Sequence, residues 1–265
     1  MEIKLNGKNR SVTAVTAGEL CDKSDLAHSY IIINGYSAVP ATRLNAGDEV
    51  FVIPKNTCPH RDEWAQMLYA RHTPGVQAKL NQAVVAISGL GGLGSNIAVQ
   101  LCRCGIGTLR LFDFDTVDIS NLNRQSYFIE DLGRLKTEAL AEQLRRINPY
   151  VTVHAETVRL TGKNAGALLR DCNIVIEAFD DPRAKAMLVN TVLEELPETI
   201  IIAASGMAGY GRSNAITTRK INDHFYLCGD ATSAAKPGQG LMAPRVALCA
   251  AHEANLAVEL LAERL

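Results

Sequence analysis

Hydrophobic and polar positions divide the chain into two patterns. In the first, Ile3 and Leu5 alternate with polar residues and Asn6-Gly7 follows at once, the spacing of a strand and a tight hairpin into a second strand near Ser11-Val12. Thr16-Ala-Gly-Glu19 reads as a capping box opening a short helix through Leu20. Residues 30–34 predict a third strand, ended by Gly35, and a turn over 44–48 leads to a last strand over 49–53. These elements make a small α+β roll over residues 1–54. Residues 55–82 read as a linker and a helix, with Glu63, Trp64, Met67, Leu68 and Arg71 at helical spacing. Pro74-Gly75 is expected to break that helix, and residues 76–80 to lead into the next strand.

From residue 83 to 265 strands alternate with helices, which predicts a mostly parallel sheet with flanking helices. Strands are expected at 84–87, 109–112, 151–155, 174–178 and 199–204, and helices from Gly94 to Cys104 and over 136–147, 182–196 and 246–261. An antiparallel extension is expected over 209–227, around Asn222-Asp223. The chain of 265 residues carries 27 Lys and Arg against 28 Asp and Glu, a net charge of −1, without the basic excess of a nucleic-acid binder. Lacking a long apolar run or an apolar leader, it is expected to be cytoplasmic, with no membrane contact. The seven cysteines are odd in number and form no Cys-x-x-Cys, so cytosolic thiols are expected and zinc is not.

Gly89, Gly91 and Gly94 satisfy G-x-G-x-x-G between a strand and a helix, in Ser88-Gly-Leu-Gly-Gly92-Leu-Gly-Ser95. The first glycine allows a tight turn, the second a close backbone approach to phosphate and the third close helix packing, as in a Rossmann-like sheet. Amides at the helix start attract an anion. Asp113 ends the second strand, where it can accept hydrogen bonds from ribose hydroxyls. This much suits an NAD-dependent dehydrogenase equally well. The following residues separate the two: Asp113-Phe-Asp115, then Asn121, Arg124 and Gln125, then Lys136. Three linked phosphates need clustered cations and donors, with Arg as a planar fork and Lys as a point charge. Asp180 ends a later strand, where a carboxylate can hold Mg²⁺ together with phosphate oxygens.

Residues 84–250 resemble the ubiquitin-activating-type adenylating enzymes of the ThiF, MoeB and HesA group. The likeness lies in Gly89-x-Gly-Gly-Leu-Gly-Ser95, the Asp113-Phe-Asp-Thr-Val…Ser-Asn-Leu-Asn-Arg-Gln125 run, Lys136, Asn148-Pro149, Asp180 and Gly240-Leu-Met-Ala-Pro244. Residues 1–54 resemble the ThiS-type β-grasp sulfur carriers in the hairpin start, Ile31-Ile-Ile-Asn-Gly35 and Leu44…Gly47-Asp48…Ile53. Such carriers end in a free Gly-Gly, whereas here Ile53 runs on into Pro54.

The resemblance implies an ATP- and Mg²⁺-dependent adenylyltransferase acting on the C-terminal carboxylate of a Gly-Gly sulfur carrier, in thiamine thiazole synthesis. Another ubiquitin-like carrier of the molybdopterin type, a peptide, or a nucleotide-binding regulatory scaffold are the alternatives. By position, Asp113 would bind the ribose, and the loop of Gly89, Gly91, Gly92, Gly94 and Ser95, together with Asp115, would belong to the nucleotide-binding site. Asn121, Arg124, Gln125 and Lys136 would hold the triphosphate, and Asp180 the Mg²⁺. Arg71 matches an arginine that such enzymes lend to the partner subunit's site, which implies a homodimer. The cysteine that some relatives use for sulfur chemistry has no counterpart in residues 233–239, and Cys228 is the nearest candidate. The glycine-rich stretch from Gly206 to Gly240 is where a flexible carrier tail is expected to enter.

Overall fold

Two Asn-Gly turns shape the N-terminal part of the chain. Strand β1 (Glu2–Leu5) pairs with β2 (Lys8–Ser11) across Asn6 and Gly7, both at positive φ (46° and 77°), the backbone of a tight hairpin turn. Asn34 (52°) and Gly35 (82°) repeat the device between β3 (Ser29–Ile33) and β4 (Tyr36–Ala38). The sequence reading ended the third strand at Gly35; the same turn chemistry instead carries the chain into a fourth. Strand β5 (Glu49–Pro54) inserts parallel to β1 and antiparallel to β3, giving the order β2-β1-β5-β3-β4. The expected short helix is a single 3-10 turn, Ala17–Leu20, with Glu19 accepting from the Val15 amide and the Thr16 hydroxyl.

Period-two alternation gives this sheet two apolar faces. Ile3, Ile31 and Val50 pack with Ala17 and Leu44 on one. Ile32, Phe51 and Ile53 face the other way, packed by Met67 and Ala70 of helix α1 (Arg61–Arg71). Helix α2 (Pro74–Gln82) occupies the stretch expected to break at Pro74-Gly75. Proline at a first helical position loses no hydrogen bond, so it starts a helix rather than ending one. This computed structural model describes residues 1–21, 26–72 and 74–264. It divides into two units, Met1–Ala78 and Lys79–Leu265.

The second unit alternates strand and helix: β6 (Val84–Ser88), α3 (Gly92–Cys104), β7 (Thr108–Asp113), α4 (Lys136–Ile147), β8 (Thr152–Thr157), α5 (Ala165–Leu168), β9 (Ile174–Glu177), α6 (Pro182–Glu195), β10 (Ile200–Ala204), β11 (Thr217–Lys220), β12 (Phe225–Gly229) and α7 (Ala243–Arg264). The sheet order is β11-β12-β10-β9-β6-β7-β8, parallel except for β11. This is the Rossmann-like architecture with an antiparallel extension that the alternation implied. Ala86, Phe112, Val175 and Ile201 pack against Leu188 and Val192 of α6. The chain leaves β6 toward β7 and β8 on one side, and later fills β9, β10 and β12 on the other. A crevice therefore opens at the carboxyl ends of β6 and β9, the switch point where such sheets bind ligands. Among the described residues no helix is long and apolar enough to cross a membrane.

Candidate nucleotide site

The glycine loop lies at that switch point. Gly89 has φ +93°, and a Cβ there would meet the Ala178 carbonyl oxygen at 2.9 Å. A Cβ on Gly94 would lie 1.9 Å from the Gly89 carbonyl oxygen, so only glycine lets α3 start this close to the loop. No side chain caps α3 at Gly91. The first amides of a helix have no intrahelical partner, and they carry the positive end of the helix dipole. Together they form a cradle for an anion.

Asp113, 8% exposed, ties β7 to this loop. One carboxylate oxygen accepts the Leu90 amide at 2.6 Å and the other accepts the Asp115 amide at 2.8 Å. Each oxygen keeps further acceptor capacity for a hydroxyl. Lys136, the first residue of α4, is 6% exposed, and its Nζ lies 3.3 Å from the half-exposed Asp115 carboxylate. That single contact is a weak match for a desolvated ammonium.

Residues 119–128 clasp the loop from the other side. Ser95 Oγ donates to the Gly91 carbonyl (2.7 Å) and accepts the Ser126 amide (3.0 Å). Asn96 Nδ2 donates to the carbonyls of Gly92 (2.7 Å) and Arg124 (3.0 Å), and its Oδ1 accepts from Ser126 Oγ at 3.2 Å. Tyr127, 7% exposed, donates its hydroxyl to the Leu90 carbonyl at 2.8 Å. This clasp puts Arg124 against the first turn of α3: its Cγ lies 3.5 Å from where a Cβ on Gly92 would stand. The Arg124 guanidinium is held by the Ser120 carbonyl (3.0 Å) and Asn123 Oδ1 (2.7 Å). Gln125 Nε2 comes within 3.8 Å of a Cβ on Gly91, and its Oε1 is buried with no hydrogen-bond partner among the described residues. Asn121 spends its Oδ1 on the Asp118 amide (3.0 Å), closing a small 3-10 cap.

The loop after β9 completes the crevice. Glu177, fully buried, pairs with Lys185 at 2.9 Å and accepts the Phe179 amide at 2.7 Å. Burial pushes the Glu177 carboxyl up and the Lys185 ammonium pulls it back. Asp181 caps α6 by accepting the amides of Arg183 and Ala184. Asp180, next to it, is exposed and makes no hydrogen bond or ion pair among the described residues. A single carboxylate open to water suits Mg²⁺, which keeps several waters and takes its other ligands from phosphate. No group of three or more His, Cys, Asp or Glu gathers as a metal site among the described residues.

Sequence reasoning named the glycines, Ser95, Asp113, Asp115, Asn121, Arg124, Gln125, Lys136 and Asp180, and the second unit holds Asp113 at the end of β7 and the others on loops or helix starts following β6, β7 and β9. Arg71 belongs to the first unit. Asn96, Ser126 and Tyr127 were missed. A latch was missed as well: Arg245, 5% exposed, donates to the Gly211 carbonyl (2.6 Å), the Arg212 carbonyl (3.0 Å) and the Asp230 carboxylate (2.5 Å). Asp230 also accepts the amides of Thr232 and Ser233 and the Ser233 hydroxyl. Burial pushes its carboxyl up, but those hydrogen bonds and the guanidinium outweigh burial and hold it well below the usual carboxylate range. The glycine-rich stretch is thereby pinned to α7, and Asn123 Nδ2 reaches the Leu241 carbonyl at 3.1 Å. Cys228 is fully buried, with its thiol pushed up to about 12 by burial, which argues against a nucleophile. An open cleft of about 570 Å³ along β7 and β8, lined by Arg110, Arg145 and His154 among others, contains none of these site residues.

Fold and loops together define a doubly wound α/β protein with an anion cradle at its switch point. A profile of the ThiF family matches residues 65–264 and one of the ThiS-like ubiquitin family matches residues 1–56. The chain belongs to the ThiF family and carries an N-terminal ThiS-like domain. It is 33% identical over 168 residues to the adenylyltransferase and sulfurtransferase UBA4 of Candida glabrata, covering 62% of this chain and 38% of that one. It is 35% identical over 140 residues to the sulfur carrier protein adenylyltransferase of Thermus thermophilus, covering 52% and 51%. The chain thus spans about half or less of the length of these relatives. Its fold is shared with the E. coli tRNA N6-threonylcarbamoyladenosine dehydratase solved with AMP (TM-score 0.70, 22% identity, 78% of this chain and 98% of that one).

Proposed function

We propose that this chain adenylates the C-terminal carboxylate of a ThiS-type sulfur carrier, using ATP with Mg²⁺ and releasing pyrophosphate, as a step toward the thiazole of thiamine. One observation carries the reading: a buried, under-satisfied ammonium on Lys136 and the donor amide nitrogen of Gln125 belong to the segments around an uncapped helix N-terminus. A polyphosphate supplies the charge Lys136 lacks, and Gln125 and the cradle offer donors to its oxygens.

A C-terminal carboxyl ionises near pH ~3.5, so the carrier arrives as a nucleophile and no general base is required. A carboxylate oxygen attacks the α-phosphorus, the bond from that phosphorus to the bridging oxygen breaks, and the electron pair leaves with pyrophosphate. Asp113 fixes the ribose, and the α3 amides and Gln125 orient the phosphates. Arg124 and Lys136 offset the negative charge that two anions bring together. Asp180 would hold Mg²⁺, which supplies charge neutralisation on the leaving phosphates. The latched loop over 205–242 borders the path of the carrier's tail. The protein works as a cytoplasmic homodimer in which Arg71 of each protomer serves the partner's site. Ile119, Phe128, Ile129 and Leu132, apolar side chains left in solvent, support a protein-facing surface.

The deciding measurement is exchange of labelled pyrophosphate into ATP with purified carriers. Exchange with a ThiS-type Gly-Gly carrier is the expected result. Exchange only with a molybdopterin-type carrier would move the acceptor, and nucleotide binding without exchange to any carrier would leave a regulatory scaffold. The net charge of −1 weighs against an RNA acceptor.

A further inference from the structure

We infer that Asn123 is a positioning residue that joins two events: the grip of Arg124 on the phosphates and the latching of the glycine-rich segments 206–212 and 239–242. The inference rests on the proposed function, in which Arg124 meets the phosphates, and adds what aims it. The Asn123 side chain is a bridge with two ends. Its Oδ1 accepts from Arg124 Nη1 at 2.7 Å, and its Nδ2 donates to the Leu241 carbonyl at 3.1 Å. A guanidinium can only donate and a carbonyl oxygen can only accept, so one orientation of the amide serves both. A carboxylate in its place would keep the first bond and lose the second.

At one end of the bridge, Arg124 spends a single nitrogen on the protein. Nη1 donates to Asn123 and to the Ser120 carbonyl at 3.0 Å. Among the described residues Nε and Nη2 donate to nothing, which leaves that side of the fork for phosphate oxygens. At the other end, Leu241 pairs with Gly209, whose amide donates to the Gly240 carbonyl at 2.7 Å. Two and three residues further on, the Gly211 and Arg212 carbonyls are held by Arg245, itself paired with Asp230. Arg212 sits at φ +47°, an uncommon backbone for a residue with a side chain, and those bonds hold it there. With the segments latched, the far end of Asn123 is fixed and the guanidinium is aimed in advance. Once they come away, Arg124 keeps the Ser120 carbonyl as its remaining fixed anchor. A nucleotide that binds the aimed arginine more tightly must favour the latched segments by the same factor.

Trypsin reads the latch directly, because cleavage after Arg212 needs the carbonyl that Arg245 holds. The full chain is digested with and without ATP and Mg²⁺, and the cuts are located by mass spectrometry. Nucleotide is kept well above the dissociation constant that calorimetry gives for each variant. In wild type, nucleotide is expected to slow cleavage after Arg212 about fivefold or more. Cleavage after Lys220, exposed on the outermost strand β11, is expected to stay unchanged. N123D, which still holds Arg124 but not Leu241, is expected to bind nucleotide and to lose the protection. N123A, which adds no charge beside the phosphates, is expected to lose it as well. Protection that persists in both variants, or that extends equally to Lys220, would overturn the bridge and leave the proposed function intact. Wild-type binding without protection would do the same. A folded wild type that binds no ATP would overturn both.

Discussion

At the scale of single residues, the site turns on charges that the protein leaves incompletely matched. Lys136 is desolvated against one carboxylate at 3.3 Å, so its removal relieves as much strain as it creates. Lys136→Ala is therefore expected to lower pyrophosphate exchange by about 10²-fold or more while the thermal midpoint stays near wild type. Arg124→Ala is expected to act alike, and normal exchange in both variants would remove the phosphate assignment. Asp180→Asn is expected to raise the Mg²⁺ concentration needed for half-maximal exchange; an unchanged metal titration would take this residue out of the site. Cys228 points to a negative outcome. Burial pushes its thiol up to about 12, so it is neutral at pH 8 and is expected to resist alkylation in the native protein. Cys228→Ser is expected to exchange normally, and loss of exchange would restore the cysteine as a participant.

At the scale of elements, the loop over 89–91 and the run over 119–128 behave as one device joined by side-chain-to-backbone bonds. Gly94→Ala would drive a methyl into the Gly89 carbonyl oxygen, so α3 must withdraw from the loop. ATP binding by calorimetry is expected to be abolished in this variant. Tyr127→Phe strands the buried Leu90 carbonyl, at a cost of about 1–3 kcal/mol in stability. A rise in KM for ATP is expected with it; unchanged stability and KM would show that the clasp does not hold the loop. What could be read ahead of the structure follows the same division. The glycines and the Asp113–Gln125 run were legible because they act through backbone geometry and charge at fixed local spacing. Ser126 and Tyr127 were not, because their partners Asn96 and Leu90 lie 30 and 37 residues away in sequence, and no local pattern marks such a bond. Strand β4 was legible but not read: Asn34-Gly35 carried the same turn signal as Asn6-Gly7. The start of α2 was misread because a proline that ends one helix can equally begin the next.

Across the molecule, each unit has its own core, and the second also buries ionisable groups that the proposed reaction does not use. These couple its stability to pH. Glu253 of α7 is wholly inaccessible; among the described residues its Oε2 has no partner, and its Oε1 has only a 4.0 Å contact from the Cys249 thiol. Burial pushes the carboxyl well above its ordinary value of 4.5; Lys185 pulls it down and Glu177 pushes it up. Between the unfolded and folded values the native chain binds one more proton than the unfolded chain. Stability from this group is therefore complete below the unfolded value and is lost as pH rises toward and through the folded one. Glu253→Gln removes the titration with little change of shape. The variant is expected to match wild type near pH 5 and to exceed it at pH 8, by about 2–4 °C in Tm for each kcal/mol recovered. A Tm difference that is the same at both pH values would mean that Glu253 does not stay protonated in the fold, and that the pH dependence must come from elsewhere, with the Glu177–Lys185 pair the next group to test.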